Sequence, residues 1–148
     1  MIKFAHTNII THDWRQLAEF YIQVFGCKPI FPERDLSGAW LDKATNLQNA
    51  HLTGIHLTLP GYEDHLLTLE IFQYDTIAEN AETLVNRKGF GHIAFKVDDV
   101  HEVLTRLLAY GGTQVGDVIE TAIANAGQLT FVYAKDIDGN IIEIQHWQ

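Results

Sequence analysis

The chain repeats itself, and a duplicated supersecondary unit constrains the fold more than any local propensity does. Phe4-Ala5-His6-Thr7-Asn8-Ile9 aligns with Phe90-Gly91-His92-Ile93-Ala94-Phe95, an offset of 86 residues counted from position 6 to position 92. The same register carries Asp13 onto Asp99 and Gly26 onto Gly112. Later on, Leu67-Thr68-Leu69-Glu70-Ile71 aligns with Asn140-Ile141-Ile142-Glu143-Ile144 at a shorter offset of 73, from position 70 to position 143. The first copy therefore carries a longer middle section. In both copies a His opens a strand and a Glu interrupts an otherwise apolar one. Two His and two Glu at equivalent positions make a ligand set for one divalent metal.

With 148 residues and 47% apolar content, the chain can be one domain or two tightly joined half-domains, with enough core to fold without staples. Its only cysteine, Cys27, excludes an internal disulfide and fits a reducing cytoplasm. There is no secretory signal and no long apolar run, so export and membrane spanning are not expected. A net charge of −9 without any Lys/Arg cluster opposes nucleic-acid binding.

Ile2 to Ile10 reads as a strand. Asp13 then caps a helix from about Trp14 to Phe25, with Leu17, Phe20, Tyr21 and Val24 at helical spacing, and Gly26 stops it. Lys28 to Phe31, Ala39 to Leu41, Thr53 to Leu59 and Leu66 to Tyr74 read as strands, separated by turn signals at Pro32, Ser37-Gly38 and Pro60-Gly61. This first module covers residues 1–75, and a short polar linker with some helical character covers 76–88. The second module, 89–148, repeats the order. Its opening strand is Phe90 to Val97, its helix runs from Asp98 or Asp99 to about Tyr110, and Gly111-Gly112 stops that helix. Strands follow at Thr113 to Ile119, Gln128 to Ala134 and Asn140 to His146, the last two joined by a tight turn at Asp138-Gly139. Strand, helix, three strands, twice over, predicts an α+β fold with a largely antiparallel curved sheet.

With these elements in place, the chain resembles the vicinal oxygen chelate superfamily, which includes glyoxalase I, methylmalonyl-CoA epimerase, extradiol dioxygenases, fosfomycin-resistance enzymes and bleomycin-binding proteins. The resemblance rests on His6 in the opening strand, Phe20-Tyr21 followed by Phe25-Gly26, Gly91-His92-Ile93-Ala94-Phe95, and the closing Asp136-Ile137-Asp138-Gly139-Asn140-Ile141-Ile142-Glu143. It implies paired βαβββ modules forming a cupped, largely antiparallel sheet, with a metal in the cup. One ligand would come from the first and one from the last strand of each module: His6, Glu70, His92 and Glu143. Glyoxalase I has this His, Glu, His, Glu pattern. Extradiol dioxygenases use two His and one Glu, fosfomycin enzymes place a His where Glu70 stands, and epimerases commonly have Gln there.

Two imidazoles and two carboxylates accept Zn²⁺, Ni²⁺, Co²⁺, Mn²⁺ or Fe²⁺, so the donors do not choose the metal. The resemblance implies a metal-dependent lyase or isomerase of the glyoxalase I type, acting through a metal-chelated enediolate on a small α-hydroxycarbonyl or thiohemiacetal. Glu143 is assigned as ligand and base and Glu70 as the other carboxylate, the reverse being nearly equivalent by symmetry. The alternatives are an epimerase or dioxygenase of the same superfamily, or a non-catalytic drug-binding protein of the bleomycin-resistance type. No convincing glutathione-binding set emerges among Arg15, Arg34, Arg87, Lys88 and Arg106. A homodimer is implied.

Strand alternation alone would explain either Glu, with Leu69, Ile71, Ile142 and Ile144 facing a core. It does not explain both at matched places beside His6 and His92. The remaining histidines, at 12, 51, 56, 65, 101 and 146, have no repeat partner and receive no metal role. Trp14, Trp40, Trp147, Phe31, Phe72 and Tyr133 are candidates for lining a pocket, and Cys27 has no evident activating partner.

Overall fold

The computed structural model describes residues 3–62, 67–79 and 82–148. The chain divides into two compact units, Met1–Asn80 and Ala81–Gln148. The expectations that fall on Ile2, His65 and Leu66 and on positions 80–81 lie outside the described residues.

In the first unit, helix α1 (Trp14–Phe25) starts at Asp13, whose carboxylate accepts the Gln16 backbone N–H at 3.0 Å. It ends at Gly26, where φ is 72°, a left-handed conformation that favours glycine. The strands are β1 (His6–Ile10), β2 (Lys28–Ser37), β3 (His51–Thr58) and β4 (Thr68–Tyr74), in the sheet order β1-β4-β3-β2. β1 and β4 run parallel, whereas β2–β3 and β3–β4 are antiparallel. Helix α1 packs on β3 and β4, and Leu17, Tyr21, Leu57, Leu69 and Ile71 are all fully buried. Each of these aliphatic side chains contributes roughly 1.5–3 kcal/mol by leaving water. Because strand side chains alternate, burying Leu57, Leu69 and Ile71 on the helix side turns His56, Glu70 and Phe72 to the other face.

The segment Ala39 to Leu41, read above as a strand, instead opens a second helix, α2 (Ala39–Thr45). Gly38, at φ 110°, accepts the Leu41 and Asp42 backbone N–H groups at 3.0 and 3.1 Å, and this turns the chain into a helix. The Asp42 carboxylate then accepts the N–H groups of Asn49 and Ala50 at 3.1 and 2.7 Å. Leu41, Ala50 and Leu52 form a small core with Leu36, Phe72 and Tyr74. This helix and its return are the longer middle section of the first copy. A second difference concerns Pro32, which lies within β2 rather than ending it. On this edge strand its missing N–H is tolerated, and the ladder shifts register between Ile30 and Arg34.

In the second unit the elements are β5 (Ile93–Lys96), α3 (Val100–Ala109), β6 (Thr113–Gln114), β7 (Ile119–Ile123), β8 (Gly127–Lys135) and β9 (Ile141–Trp147). Asp99 caps α3 by accepting the Glu102 N–H at 3.0 Å, as Asp13 does in the first unit. The order is β5-β9-β8-β6, with β7 also pairing with β8, and β5 runs parallel to β9. The stretch expected as one strand over 113–119 is split. Thr113 pairs with Lys135 at one end of β8, whereas Ile119 pairs with Phe131 farther along it. The described residues of the expected linker contain no helix. With three helices and nine strands among the described residues, the chain has the α+β fold of paired βαβββ modules.

Candidate metal centre

The two units build their sites from the same register. In the first, Glu70 of β4 lies opposite Asn8 of β1 in the parallel ladder, two residues after His6. In the second, Glu143 of β9 lies opposite Ala94 of β5, two residues after His92. A two-residue step returns a strand to the same face, so each His meets its Glu. His6 Nδ1 is 3.3 Å from Glu70 Oε1, and His92 Nε2 is 3.0 Å from Glu143 Oε2. Neither Glu points outward from an edge. β4 and β9 are internal strands, and the two carboxylate side chains are only 11% and 14% exposed.

The antiparallel neighbour adds a third residue to each site. In the first unit His56 of β3 lies opposite Glu70, with Nε2 3.3 Å from the same Oε1 that His6 approaches. The equivalent residue in the second unit is Tyr133 of β8, opposite Glu143. His56 is not part of the repeated His–Glu pattern, because Tyr133 stands at its place in the second unit. The available signal was the distance from each Glu along its hairpin, but that requires the β3–β4 register. His56 is held against the Phe72 ring, centroids 5.6 Å apart, and Tyr133 against the His92 ring, centroids 5.2 Å apart.

Burial pushes the His56 pKa down, and the nearby Arg34 and His6 act in the same direction against the opposing Glu70 carboxylate. A neutral imidazole has a lone pair to offer. Burial pushes the Tyr133 phenol up, reinforced by Glu143, so it is a protonated donor at neutral pH.

The donors suit a borderline divalent ion. Ligands about 2.1 Å from one ion stand about 3.0 Å apart in octahedral and about 3.4 Å apart in tetrahedral geometry, and the two His–Glu separations fall in that range. Among the described residues, no group of three or more His, Cys, Asp or Glu side chains is placed to hold a metal ion. His6, Glu70 and His56 meet pairwise through one oxygen of Glu70.

Of the aromatic candidates, Phe72 and Tyr133 lie beside these sites, whereas Trp14 is buried at the start of α1 and Phe31 and Trp40 are largely exposed. Arg15 makes a bidentate pair with Glu33 at 2.8 and 2.9 Å, and Arg106 pairs with Glu102 at 2.6 Å. Cys27 is buried, and desolvation pushes its thiol up to about 12, which excludes a thiolate nucleophile at neutral pH.

Residues 3–144 match the family described as Glyoxalase/Bleomycin resistance protein/Dioxygenase superfamily. Among solved structures, a glyoxalase family protein from Bacillus cereus is similar with a TM-score of 0.83 at 19% identity, covering 99% of this chain and 95% of that one. The genomically encoded fosfomycin resistance protein of Listeria monocytogenes is similar with a TM-score of 0.61 at 18% identity, covering 100% and 95%. A glyoxylase/bleomycin resistance protein/dioxygenase domain from Frankia gives 0.64 at 16% identity, covering 100% and 93%. At these identities the likeness concerns the fold. No curated protein sequence matches the chain. No helix among the described residues is long and apolar enough to cross a membrane.

Proposed function

The chain belongs to the Glyoxalase/Bleomycin resistance protein/Dioxygenase superfamily, and from that premise we propose that it is a metal-dependent lyase or isomerase acting on a small α-hydroxycarbonyl or thiohemiacetal. The observation that carries this reading is the recurrence of a His–Glu pair at the same register in both modules. His6, Glu70, His92 and Glu143 would together hold one divalent ion, with their two carboxylates balancing its charge. When bound, the metal would act as a Lewis acid toward substrate oxygens.

The chain's own residues would supply the rest. Moving a carbonyl to the neighbouring carbon requires a base that takes a proton from one carbon and returns it to the next. Glu143 suits this role better than Glu70. Glu70 Oε1 is held by two imidazoles, whereas Glu143 has the single close imidazole of His92 and a phenol-bearing neighbour. Glu143 would therefore move the proton while Glu70 stays in place. The Tyr133 hydroxyl, kept protonated by burial and by Glu143, is available to donate to a substrate oxygen. The working unit is expected to be a homodimer in the cytoplasm, which light scattering on purified protein and fractionation of cells would check.

The test combines metal affinity with proton exchange. Wild-type protein should bind about one Zn²⁺ or Co²⁺ per chain, and Glu70→Gln and Glu143→Gln should each weaken that binding at least ~10-fold. With substrate in deuterated water, wild type should place deuterium on the product carbon and Glu143→Gln should lose this at least ~100-fold. Folded protein that takes up no metal after reconstitution would overturn the enzyme reading and favour a non-catalytic small-molecule binder.

A further inference from the structure

Arg34 brings a positive charge to the face that holds the first His–Glu pair. It lies opposite Gly54 in the β2–β3 ladder, two residues along β3 from His56, which lies opposite Glu70. Residues facing one another across antiparallel strands share a face, so Arg34 stands on the side of His56, Glu70 and Phe72. Its charge acts on His56, disfavouring a second positive charge there. On the same side Leu36, Leu52, Phe72 and Tyr74 pack with Leu41 of α2 and with Ala50. The face thus runs from an apolar cluster, past one guanidinium, to an imidazole–carboxylate pair. The acids next to Arg34 in sequence do not neutralise it. Glu33 is held by Arg15 at 2.8 and 2.9 Å. Asp35 pairs with Thr53, turns to the opposite face and lies 2.8 Å from His51. Arg34 Nη1 donates to the Pro32 carbonyl, and among the described residues no carboxylate pairs with the guanidinium.

We infer that Arg34 is a substrate-binding residue, and that this face of the first module takes a small organic acid whose carboxylate pairs with its guanidinium. This rests on the proposed function only in placing the reacting end of the substrate beside His6 and Glu70; the carboxylate contact itself needs no metal and lies within one unit. The planar guanidinium fork matches the two oxygens of a carboxylate. Arg34 is half-buried, which shields such a pair from water more than a fully exposed position would. A two-residue step along a strand covers about 7 Å, so the acid group would stand a few bonds from the reacting carbons. A singly charged carboxylate fits better than a phosphate dianion. The chain carries a net charge of −9, the buried Glu70 carboxylate shares the face, and one guanidinium offsets one charge. The substrate class narrows accordingly to α-hydroxycarbonyl compounds that also bear a carboxylate.

The experiment follows the Gly54 backbone N–H and the Arg34 side-chain N–H resonances of the full chain by NMR while sodium lactate is added. Lactamide serves as the neutral counterpart and inorganic phosphate as the dianion. The titrations are run on metal-free protein and repeated after addition of Zn²⁺. Lactate should give saturable shifts at both places, and lactamide and phosphate should each bind at least ~10-fold more weakly. Arg34→Gln should weaken lactate binding at least ~10-fold, read at Gly54. Arg34→Lys, which keeps the charge without the fork, should fall between the two, and Arg15→Gln should bind as wild type does. Circular dichroism establishes that each variant is folded; if Arg34→Gln is not, Arg34→Lys and the lactate–lactamide comparison in wild type decide. Lactate shifts that are absent or unsaturable, matched by lactamide or phosphate, or unchanged in Arg34→Gln overturn the inference. Lactate binding through Arg34 in a protein that takes up no metal supports the acid site and overturns the enzyme reading. Metal uptake together with lactate shifts indifferent to Arg34 overturns the acid site and leaves the enzyme reading standing.

Discussion

A single missing side chain shapes the face on which the first His–Glu pair lies. At Gly54 in β3, an added Cβ would stand 2.1 Å from the Ile71 carbonyl oxygen and 2.5 Å from the Phe72 ring. The glycine thus lets Phe72 lie across the strand, where its ring supports His56. Gly54→Ala should destabilise the protein by about 2–3 kcal/mol and loosen His56. A shift in the urea midpoint reports the first effect and the His56 ring proton resonances the second; an unchanged midpoint would contradict the contact. Glu70 and Glu143 were legible because each is a charge inside an apolar strand and each recurs. His56 was not legible, because its importance comes from lying opposite Glu70 across β3 and β4. Nothing in the sequence around His56 distinguishes it from the exposed His12, which pairs with Glu79.

At the scale of elements, two tethers make distinct predictions. His51 stands at the start of β3, with Nε2 2.8 Å from Asp35 of β2 and Nδ1 2.9 Å from Asp75 just after β4. Hydrogen bonds to Asp35 and then Asp75, together with their negative charges, raise its pKa in the folded chain. A raised folded pKa means that the stabilisation is complete below the unfolded value of about 6.5 and is lost as pH rises through the folded value. His51→Gln should therefore remove pH dependence in that window, read from unfolding curves at a series of pH values; an unaltered pH profile would show the tether to be inert. The second tether is Asp136 in the β8–β9 turn. Its buried carboxylate accepts the backbone N–H groups of Asp138 and Asn140 and the Asn140 side-chain amide, each at 2.9 Å. Asp136→Ala strands those donors and should cost about 3 kcal/mol, measured by thermal unfolding. The sequence marked this turn through Asp138-Gly139, but the residue holding it together is Asp136. The helix caps at Asp13 and Asp99 were legible for a simpler reason, since a cap is a short-range arrangement of a side chain and an N–H three residues ahead. The strand expected over 39–41 failed because a three-residue apolar stretch has no period. Gly38 and the Asp42 bonds to Asn49 and Ala50 decide for a helix.

For the whole molecule, a ligand that binds only the folded chain raises its stability by mass action. Divalent metal at about 100 times its dissociation constant would add about 2.7 kcal/mol, or roughly 5–10 °C in Tm for a chain of this size. The rise should disappear in Glu70→Gln, and a rise of equal size in that variant would mean that the ion binds elsewhere. The sequence by itself determined the duplication, the α+β class, the two helix starts and the pairing of one His with one Glu in each copy. These follow from short-range periodicity, capping chemistry and repetition, all of which are written along the chain. Only the tertiary structure decided that the extra length of the first copy is a helix, that the strand after α3 breaks into two pairings along β8, and that His56 and Tyr133 occupy matching places beside the two carboxylates. Those outcomes depend on which strands become neighbours and in what register, a choice made by packing between residues far apart in sequence.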